Sequence, residues 1–204
     1  MRTWEQSTFV FMSTNLSHEP GCVEMSWLPV MAELVQRGAT VHFLVMADSP
    51  LAEPARELGV TVAPYILDKW NVIRSRSRLR KYLRRYEPVA AHSTGLEADL
   101  LLRWAARKVR DVAIVTTVAD VSRQATRRRR PIDALMRRFD ETGIASSAAV
   151  FVGSEALVGE VQAVGVPAER VVLDPTAGDD AGRDSVKRHL AVYRALMAGR
   201  GSTA

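Results

Sequence analysis

Two polar clusters contain the residues of this sequence whose types and spacing are suited to chemistry. The first is His92-Ser93-Thr94-Gly95, and the second is Thr116-Thr117-Val118-Ala119-Asp120. A histidine exchanges protons near neutral pH, and hydroxyl and carboxylate groups bind a ligand by hydrogen bonds. The two clusters are therefore the candidate site, and His92 is the candidate catalytic residue.

Each cluster lies at the end of a short apolar run that contains β-branched residues, at 89–92 and at 112–118. Between the two runs, Leu96, Leu100 and Trp104 recur at helical spacing. A strand, a helix and a second strand in this order predict a βαβ unit with parallel strands. In open parallel sheets, ligands bind at the carboxyl ends of the strands, so we expect both clusters to lie at one edge.

The rest of the chain repeats the alternation of strand and helix. Strands are predicted at 8–13, 41–46, 60–67, 89–92, 112–118, 149–152 and 170–173, and helices at 26–37, 50–58, 71–86, 96–104, 131–146, 154–164 and 185–197. Gly38 is expected to end the first helix, and Ser154 to cap a later helix with Glu155 in its first turn. The pattern predicts an α/β fold, namely a Rossmann-like, doubly wound parallel sheet with helices on both faces in a single domain.

Composition is consistent with one sizeable globular domain, because 47% of the 204 residues are hydrophobic and 25% are charged. The single cysteine, Cys22, excludes a disulfide framework within the chain and favours a reducing compartment. No apolar run approaches the roughly 20 residues needed to cross a bilayer, and the amino terminus lacks a signal-peptide pattern. We expect a cytoplasmic protein, either free or peripherally bound to a membrane.

Four sequence blocks, in order, resemble the amino-terminal domain of the family 4 retaining glycosyltransferases, which are two-domain GT-B enzymes. The blocks are Pro20-Gly21-Cys22-Val23-Glu24 with the following 34–41, the unit at 88–121, 150–157 (VFVGSEAL) and 165–171 (GVPAERV). The resemblance implies that these loops bind substrate. The implied substrate-binding residues are Gly21, Cys22, His92, Ser93, Thr94, Thr117, Asp120, Ser154 and Glu155.

The sequence departs from the family pattern at positions that bear on chemistry. Ala119 stands where the family has a histidine near the reacting sugar, and Cys22 replaces the second of two loop glycines. His92 at a strand end is also consistent with a hydrogen-bonded structural histidine. His42 within a strand and His189 on an exposed helix face are expected to be structural, and Cys22 has no partner that identifies it as a nucleophile.

The family places a second, donor-binding domain between residue 173 and the last helix. Here a linker is predicted at 174–184, so the division is a domain at 1–173, the linker, and a carboxyl-terminal helix within 185–204 that packs back on the domain. The resemblance therefore implies the acceptor-side half alone, with a separate donor-binding chain or a second copy of this chain as partner. Neither the residues nor the resemblance implies a metal ion or a cofactor.

Arginine is concentrated in the helix at 71–86 and in Arg127, Arg128, Arg129 and Arg130, and the net charge is +5. An anionic membrane surface is one partner that these charges favour, and solvated arginine-rich faces are the alternative explanation. Nucleic acid is disfavoured, because no binding motif accompanies the charges and only 6% of the residues are aromatic.

Two functional classes remain open. The first is the acceptor-binding half of a glycosyltransferase, inactive without a donor-binding chain. The second is a degenerate glycosyltransferase fold that binds a glycan, a lipid headgroup or a protein without catalysis, which the alanine at position 119 favours. Fold-level resemblance does not choose between them.

Overall fold

Seven parallel strands form one sheet in the computed structural model, which describes residues 2–13, 23–45, 49–64, 72–118, 143–175 and 179–199. The strands are β1 (Thr8–Ser13), β2 (Thr40–Val45), β3 (Thr61–Pro64), β4 (Ala90–Thr94), β5 (Ala113–Val118), β6 (Ala149–Val152) and β7 (Val171–Leu173). Their order is β3-β2-β1-β4-β5-β6-β7. The chain winds outward from β1 in one direction and from β4 in the other, which confirms the predicted doubly wound sheet. The reversal lies between β1 and β4, where such sheets form their ligand crevice.

Six helices cover the two faces of the sheet within the described residues. They are α1 (Val23–Gln36), α2 (Ala52–Glu57), α3 (Val72–Tyr86), α4 (Leu96–Ala106), α5 (Glu155–Ala163) and α6 (Asp179–Gly199). One face packs against α1, α2 and α6. The other packs against α3 and α4 at one side and α5 at the other. The strands alternate between the two cores, since Phe9 and Phe11 of β1 belong to the first and Val10 and Met12 to the second.

The glycine after α1 is required by its backbone geometry. Gly38 has φ +85°, and the amides of Gly38 and Ala39 donate to the carbonyls of Val35 and Leu34 at 2.8 and 3.0 Å. This arrangement satisfies the last carbonyls of the helix, as expected for a carboxyl-terminal glycine cap. A Cβ at this position would lie 2.8 Å from Cγ of Glu5, so a side chain is excluded by space as well as by φ.

The last helix begins earlier than the sequence indicated. It starts at Asp179, inside the stretch predicted as a linker over 174–184. The docked part of the helix explains the difference, because helices in proteins are stabilised mainly by packing of one face. Leu190, Tyr193 and Met197 are buried in the core against the sheet, and Val186 packs beside them.

The remaining differences are small. The described part of the third strand ends at Pro64, and residues 65–67 of the predicted strand lie outside the described residues. The other described boundaries differ from the predicted ones by at most three residues. Of the helix predicted at 131–146, only residues 143–146 belong to the described part of the chain. None of the described helices has the length and apolar character needed to cross a membrane.

Candidate functional site

The sheet register brings the two polar clusters together at the carboxyl edge. β4 and β5 are neighbours, and Ser93 and Thr94 lie beside Thr116 and Thr117. Thr94 Oγ1 donates to the Thr117 carbonyl at 3.4 Å. The described part of β5 ends at Val118, so Ala119 and Asp120 lie outside the described residues, as do Gly21, Cys22 and Arg127 to Arg130.

His92 is held at the centre of the molecule by hydrogen bonds to both ring nitrogens. Its Nδ1 is 2.7 Å from the hydroxyl oxygen of Tyr193 on α6, and its Nε2 is 2.7 Å from Oγ1 of Thr117 on β5. One nitrogen donates and the other accepts, according to the tautomer. The ring is 1% exposed and lies against Phe11 of the adjacent strand and Trp27 of α1. His92 therefore ties three elements together and has no free nitrogen for a ligand.

Burial keeps this network neutral. It lowers the pKa of His92 well below the ordinary value for histidine, and the neighbouring His189, with which a protonated His92 would compete for a proton, lowers it further. Burial also raises the pKa of Tyr193 well above its usual range. Because a proton added to His92 would have to be accommodated away from water, this histidine is poorly suited to proton transfer.

Ser93 and Ser154 carry hydroxyl groups that the sequence placed in the site. Both hydroxyl oxygens are buried without a hydrogen-bond partner among the described residues. Ser154 is the amino-cap residue of α5, as predicted, with extended backbone (φ −147°, ψ 157°), but its hydroxyl makes no capping hydrogen bond. The amide of Leu157, one of the usual targets of a capping side chain, donates instead to the Ser154 carbonyl at 3.2 Å. Glu155 is exposed in the first turn of α5.

A second buried polar group, which the sequence did not predict, joins the end of β7 to α6. The Asp174 carboxylate accepts from the Ser185 hydroxyl at 2.7 Å and from Arg188 Nη1 at 3.2 Å. The His189 Nδ1–H donates to the Ser185 carbonyl at 2.9 Å and lies 3.6 Å from the carboxylate. The imidazole stacks on Phe151 with ring centroids 3.9 Å apart and planes 9° apart.

The expectation that His189 lies on an exposed helix face is therefore wrong, since the residue is 1% exposed. The buried stripe of α6 includes Ser185, His189, Tyr193 and Met197, which follow one another at intervals of four. The apolar residues alone suggested a stripe rotated away from His189. His189 and Tyr193 are four residues apart and so share a helix face, which is the signal in the sequence that could have predicted the burial of His189.

Asp174, Ser185 and His189 have the residue types of a hydrolytic triad without its geometry. In a triad the histidine takes the serine proton, and the carboxylate orients the histidine. Here the Ser185 hydroxyl donates to the carboxylate, and the histidine nitrogen near it, at 3.5 Å, is the Nδ1 that is bonded to a backbone carbonyl. The serine is therefore not activated, and the group acts as an attachment for α6.

A small cleft opens beside this attachment at the carboxyl edge. It is lined by Ser26, Trp27, Thr117, Phe151, Val152, Gly153, Asp174 and His189. Two of the lining side chains are buried with a polar atom that has no partner in the described part of the molecule, namely Nε1 of Trp27 and Nε2 of His189. The indole Nε1 is a donor only. Burial lowers the pKa of His189 in spite of the opposing Ser185 carbonyl and Asp174, so the ring is neutral and Nε2 is an acceptor.

The cleft thus presents one donor and one acceptor within an aromatic surface. Such a pair is complementary to a hydroxyl group, which accepts from the indole and donates to the imidazole. Among the described residues no three metal-ligating side chains come together. The cleft has room for about one water-sized group, so the arrangement is suited to holding a single hydroxyl group or a water molecule.

The sequence matches the profile of one protein family. The sequence profile of Glycosyltransferase Family 4 matches residues 23–179. No curated protein matches the sequence significantly.

Solved structures share the fold at low sequence identity, and 91 of their chains match. Anabaena HepE in complex with UDP-glucose has a TM-score of 0.59 at 13% identity, covering 84% of this chain and 44% of that one. Acinetobacter baumannii MurG has a TM-score of 0.55 at 13% identity, covering 84% and 46%. A sucrose-phosphate synthase chain from Thermosynechococcus elongatus has a TM-score of 0.59 at 13% identity, covering 94% and 99%. The chain spans less than half the length of the first two, and identities this low show the fold alone.

Proposed function

This chain belongs to glycosyltransferase family 4, and from that premise we propose that it is the acceptor-binding half of a sugar-transfer enzyme. In this proposal, a separate chain holds the nucleotide sugar at the carboxyl edge of the sheet. The described residues form one sheet with one set of covering helices, which corresponds to one of the two units of a GT-B enzyme. Catalysis would then require assembly of the two units.

The main support for an acceptor site is a pair of buried atoms in the cleft that have no partner among the described residues, Trp27 Nε1 and His189 Nε2. Leaving a buried polar group unpaired costs about 1–3 kcal/mol, so an occupant that satisfies both atoms is favoured. A sugar hydroxyl offers both an acceptor for the indole N–H and a donor for the imidazole nitrogen. The acceptor would therefore be bound as a neutral hydroxylated molecule.

A non-catalytic binding module is the second candidate, and the state of His92 favours it. Both nitrogens of this histidine are engaged, so it cannot take a proton without breaking a bond to Tyr193 or Thr117. The same cleft would then bind a glycan as its only task. The two candidates share the acceptor site and differ in whether a donor chain joins it.

Calorimetry with uridine, guanosine and adenosine diphosphate sugars tests the half-enzyme assignment. We expect no binding tighter than millimolar to the isolated chain, and micromolar affinity for any donor contradicts the proposal. Nuclear magnetic resonance tests the acceptor site, because the indole N–H signal of Trp27, identified with Trp27→Phe, should move when glucose or N-acetylglucosamine is added. The His189→Phe variant, which keeps the stacking and lacks Nε2, should abolish that movement.

The donor chain provides the test that separates the two candidates. If a donor-binding half is encoded beside this chain, the mixture of both should release nucleoside diphosphate from a nucleotide sugar, with neither chain active alone. Release that is absent from the mixture, together with a preserved shift of the Trp27 signal by sugars, would identify the non-catalytic module.

A further inference from the structure

Helix α3 carries a concentration of positive charge that the sugar-binding cleft does not use. Its fifteen residues, Val72–Tyr86, include seven basic residues and no acidic one. Four of these, Arg74, Arg78, Lys81 and Arg85, follow one another at intervals of four, three and four, and all four are exposed. They form a single stripe about 16 Å long, at 1.5 Å per residue. We call this set the α3 stripe.

The α3 stripe is held in a fixed orientation by the opposite side of the helix. Ser75, Leu79 and Leu83 are buried against the sheet, so the stripe faces away from the protein. The Arg76 Nε donates to the Trp104 carbonyl at 3.2 Å while its guanidinium lies 4.2 Å from the centre of the Trp104 ring. Arg84 Nη2 donates to the Lys108 carbonyl at 3.2 Å. These bonds fix α3 against α4, so the four cations are presented as one rigid row.

Two large apolar side chains are exposed at the start of the same helix. Ile73 is 71% exposed and Val72 is 44% exposed, and Met25 is the other large apolar side chain of the described residues that is exposed. Since α3 follows β3 and runs back to the start of β4, its first turn lies at the carboxyl edge of the sheet. The apolar pair and the candidate cleft are therefore at the same edge.

We propose that the α3 stripe, together with Ile73 and Val72, docks this protein on an anionic phospholipid surface. A row of cations gains about fivefold in affinity for each residue brought near such a surface, and an apolar tip gains by entering the boundary between headgroups and acyl chains. Docking in this way brings the carboxyl edge, with its cleft, to the membrane.

Nucleic acid fits the same surface less well. A phosphate backbone would use the cations, but it offers no apolar phase for Ile73. The aromatic residues of α3 are also not available for base stacking, because Tyr82 and Tyr86 pack on His42 at 5.6 and 4.3 Å between ring centres. The exposed apolar tip is the feature that selects the lipid surface.

Sedimentation with vesicles of phosphatidylcholine, with and without phosphatidylglycerol, tests the proposal. The protein should bind only the anionic vesicles, with an affinity that falls steeply with salt, since exposed charges are screened over about 10 Å at 0.1 M. The Arg78→Glu/Arg85→Glu variant should bind at least about 25-fold more weakly, from two factors of about five. The matched control is Arg183→Glu/Arg194→Glu, which makes the same charge change at exposed positions of α6 on the opposite face and should bind within about twofold of the original chain.

The Ile73→Ser variant tests the apolar part and separates lipid from nucleic acid. It should lose about tenfold in vesicle binding, from the lower range for burial of one large aliphatic side chain, and circular dichroism should show an unchanged fold. Equal weakening by both charge variants would assign the effect to net charge and overturn the proposal. Absence of vesicle binding, or tight binding to a labelled DNA duplex that Ile73→Ser leaves unchanged, would also overturn it.

Discussion

Replacing Tyr193 by phenylalanine tests whether the buried histidine network stabilises the fold. Within the described part of the chain, two Tyr–His hydrogen bonds have equal length, Tyr193 to His92 and Tyr82 to His42, each 2.7 Å from the hydroxyl oxygen to Nδ1. The surroundings differ, because Tyr193 is 0% exposed and Tyr82 is half-buried. Burial raises the pKa of Tyr82 to about 12 and that of Tyr193 well above its usual value, so both hydroxyls are protonated at neutral pH.

The expected magnitude follows from what each substitution leaves behind. Tyr193→Phe keeps the ring that packs on Phe9, with centres 5.0 Å apart, and removes only the partner of His92 Nδ1. His92 is 1% exposed, so water cannot replace the lost bond and the loss in unfolding free energy should be about 1–3 kcal/mol. Tyr82→Phe makes the same chemical change beside His42, which is 3% exposed but adjoins a partly exposed tyrosine, so water has a shorter path to the Nδ1 that loses its partner. Its cost should fall near the lower value for a net hydrogen bond, about 0.5–1 kcal/mol.

Urea unfolding of the two variants and the original chain measures this difference. The denaturation midpoint should fall more for Tyr193→Phe than for Tyr82→Phe, with the slope of free energy against urea unchanged in both. An equal or smaller effect of Tyr193→Phe would refute the reasoning, since it would show that His92 does not depend on this hydroxyl.

Two further predictions concern α6 and pH. Truncation after Asp180 removes the buried side chains of Leu190, Tyr193 and Met197, each contributing about 1.5–3 kcal/mol, so it should greatly lower the urea midpoint and increase binding of a hydrophobic dye; an unchanged midpoint would show that the helix does not dock. Burial lowers the pKa of His42, His92 and His189, and histidines of the unfolded chain titrate near 6.5, so the unfolded state binds more protons below that pH. The stability that these histidines provide is complete above about pH 6.5 and should fall as pH drops from 6.5 to 5.5, by up to about 1.4 kcal/mol per pH unit for each histidine. Urea midpoints at pH 7.5, 6.5 and 5.5 measure this, and a midpoint that does not change would contradict the buried, neutral state of the rings.

The order of elements was predictable because it depends on local patterns. Short β-branched runs and helical spacing gave all seven strands and the doubly wound class, and Gly38 was recognisable because few residues adopt φ +85°. Boundaries were less predictable. The start of α6 at Asp179 depends on docking of residues much later in the helix, which no local window contains.

The candidate site was predictable only in its position. The strand ends placed the two polar clusters at one edge of the sheet, and the register shows Thr94 beside Thr117 there. The partners of His92 were not predictable, because Tyr193 lies 101 residues further along the chain. The burial of His189 was hidden for a related reason, since its partners Phe151 and Asp174 belong to β6 and to the segment after β7.

The last helix and the candidate site form together in this molecule. α6 provides the hydroxyl that holds His92, the imidazole that lines the cleft, and the serine and arginine that donate hydrogen bonds to Asp174. Without α6, Asp174 and His92 would each lose partners, and the cleft would lose its acceptor at Nε2 of His189. Leu190 docks α6 but does not line the cleft. A substitution of Leu190 that weakens docking should therefore also weaken ligand binding, in proportion to the population of undocked molecules. Stability of the helix and affinity of the site are, on this geometry, two measurements of one equilibrium.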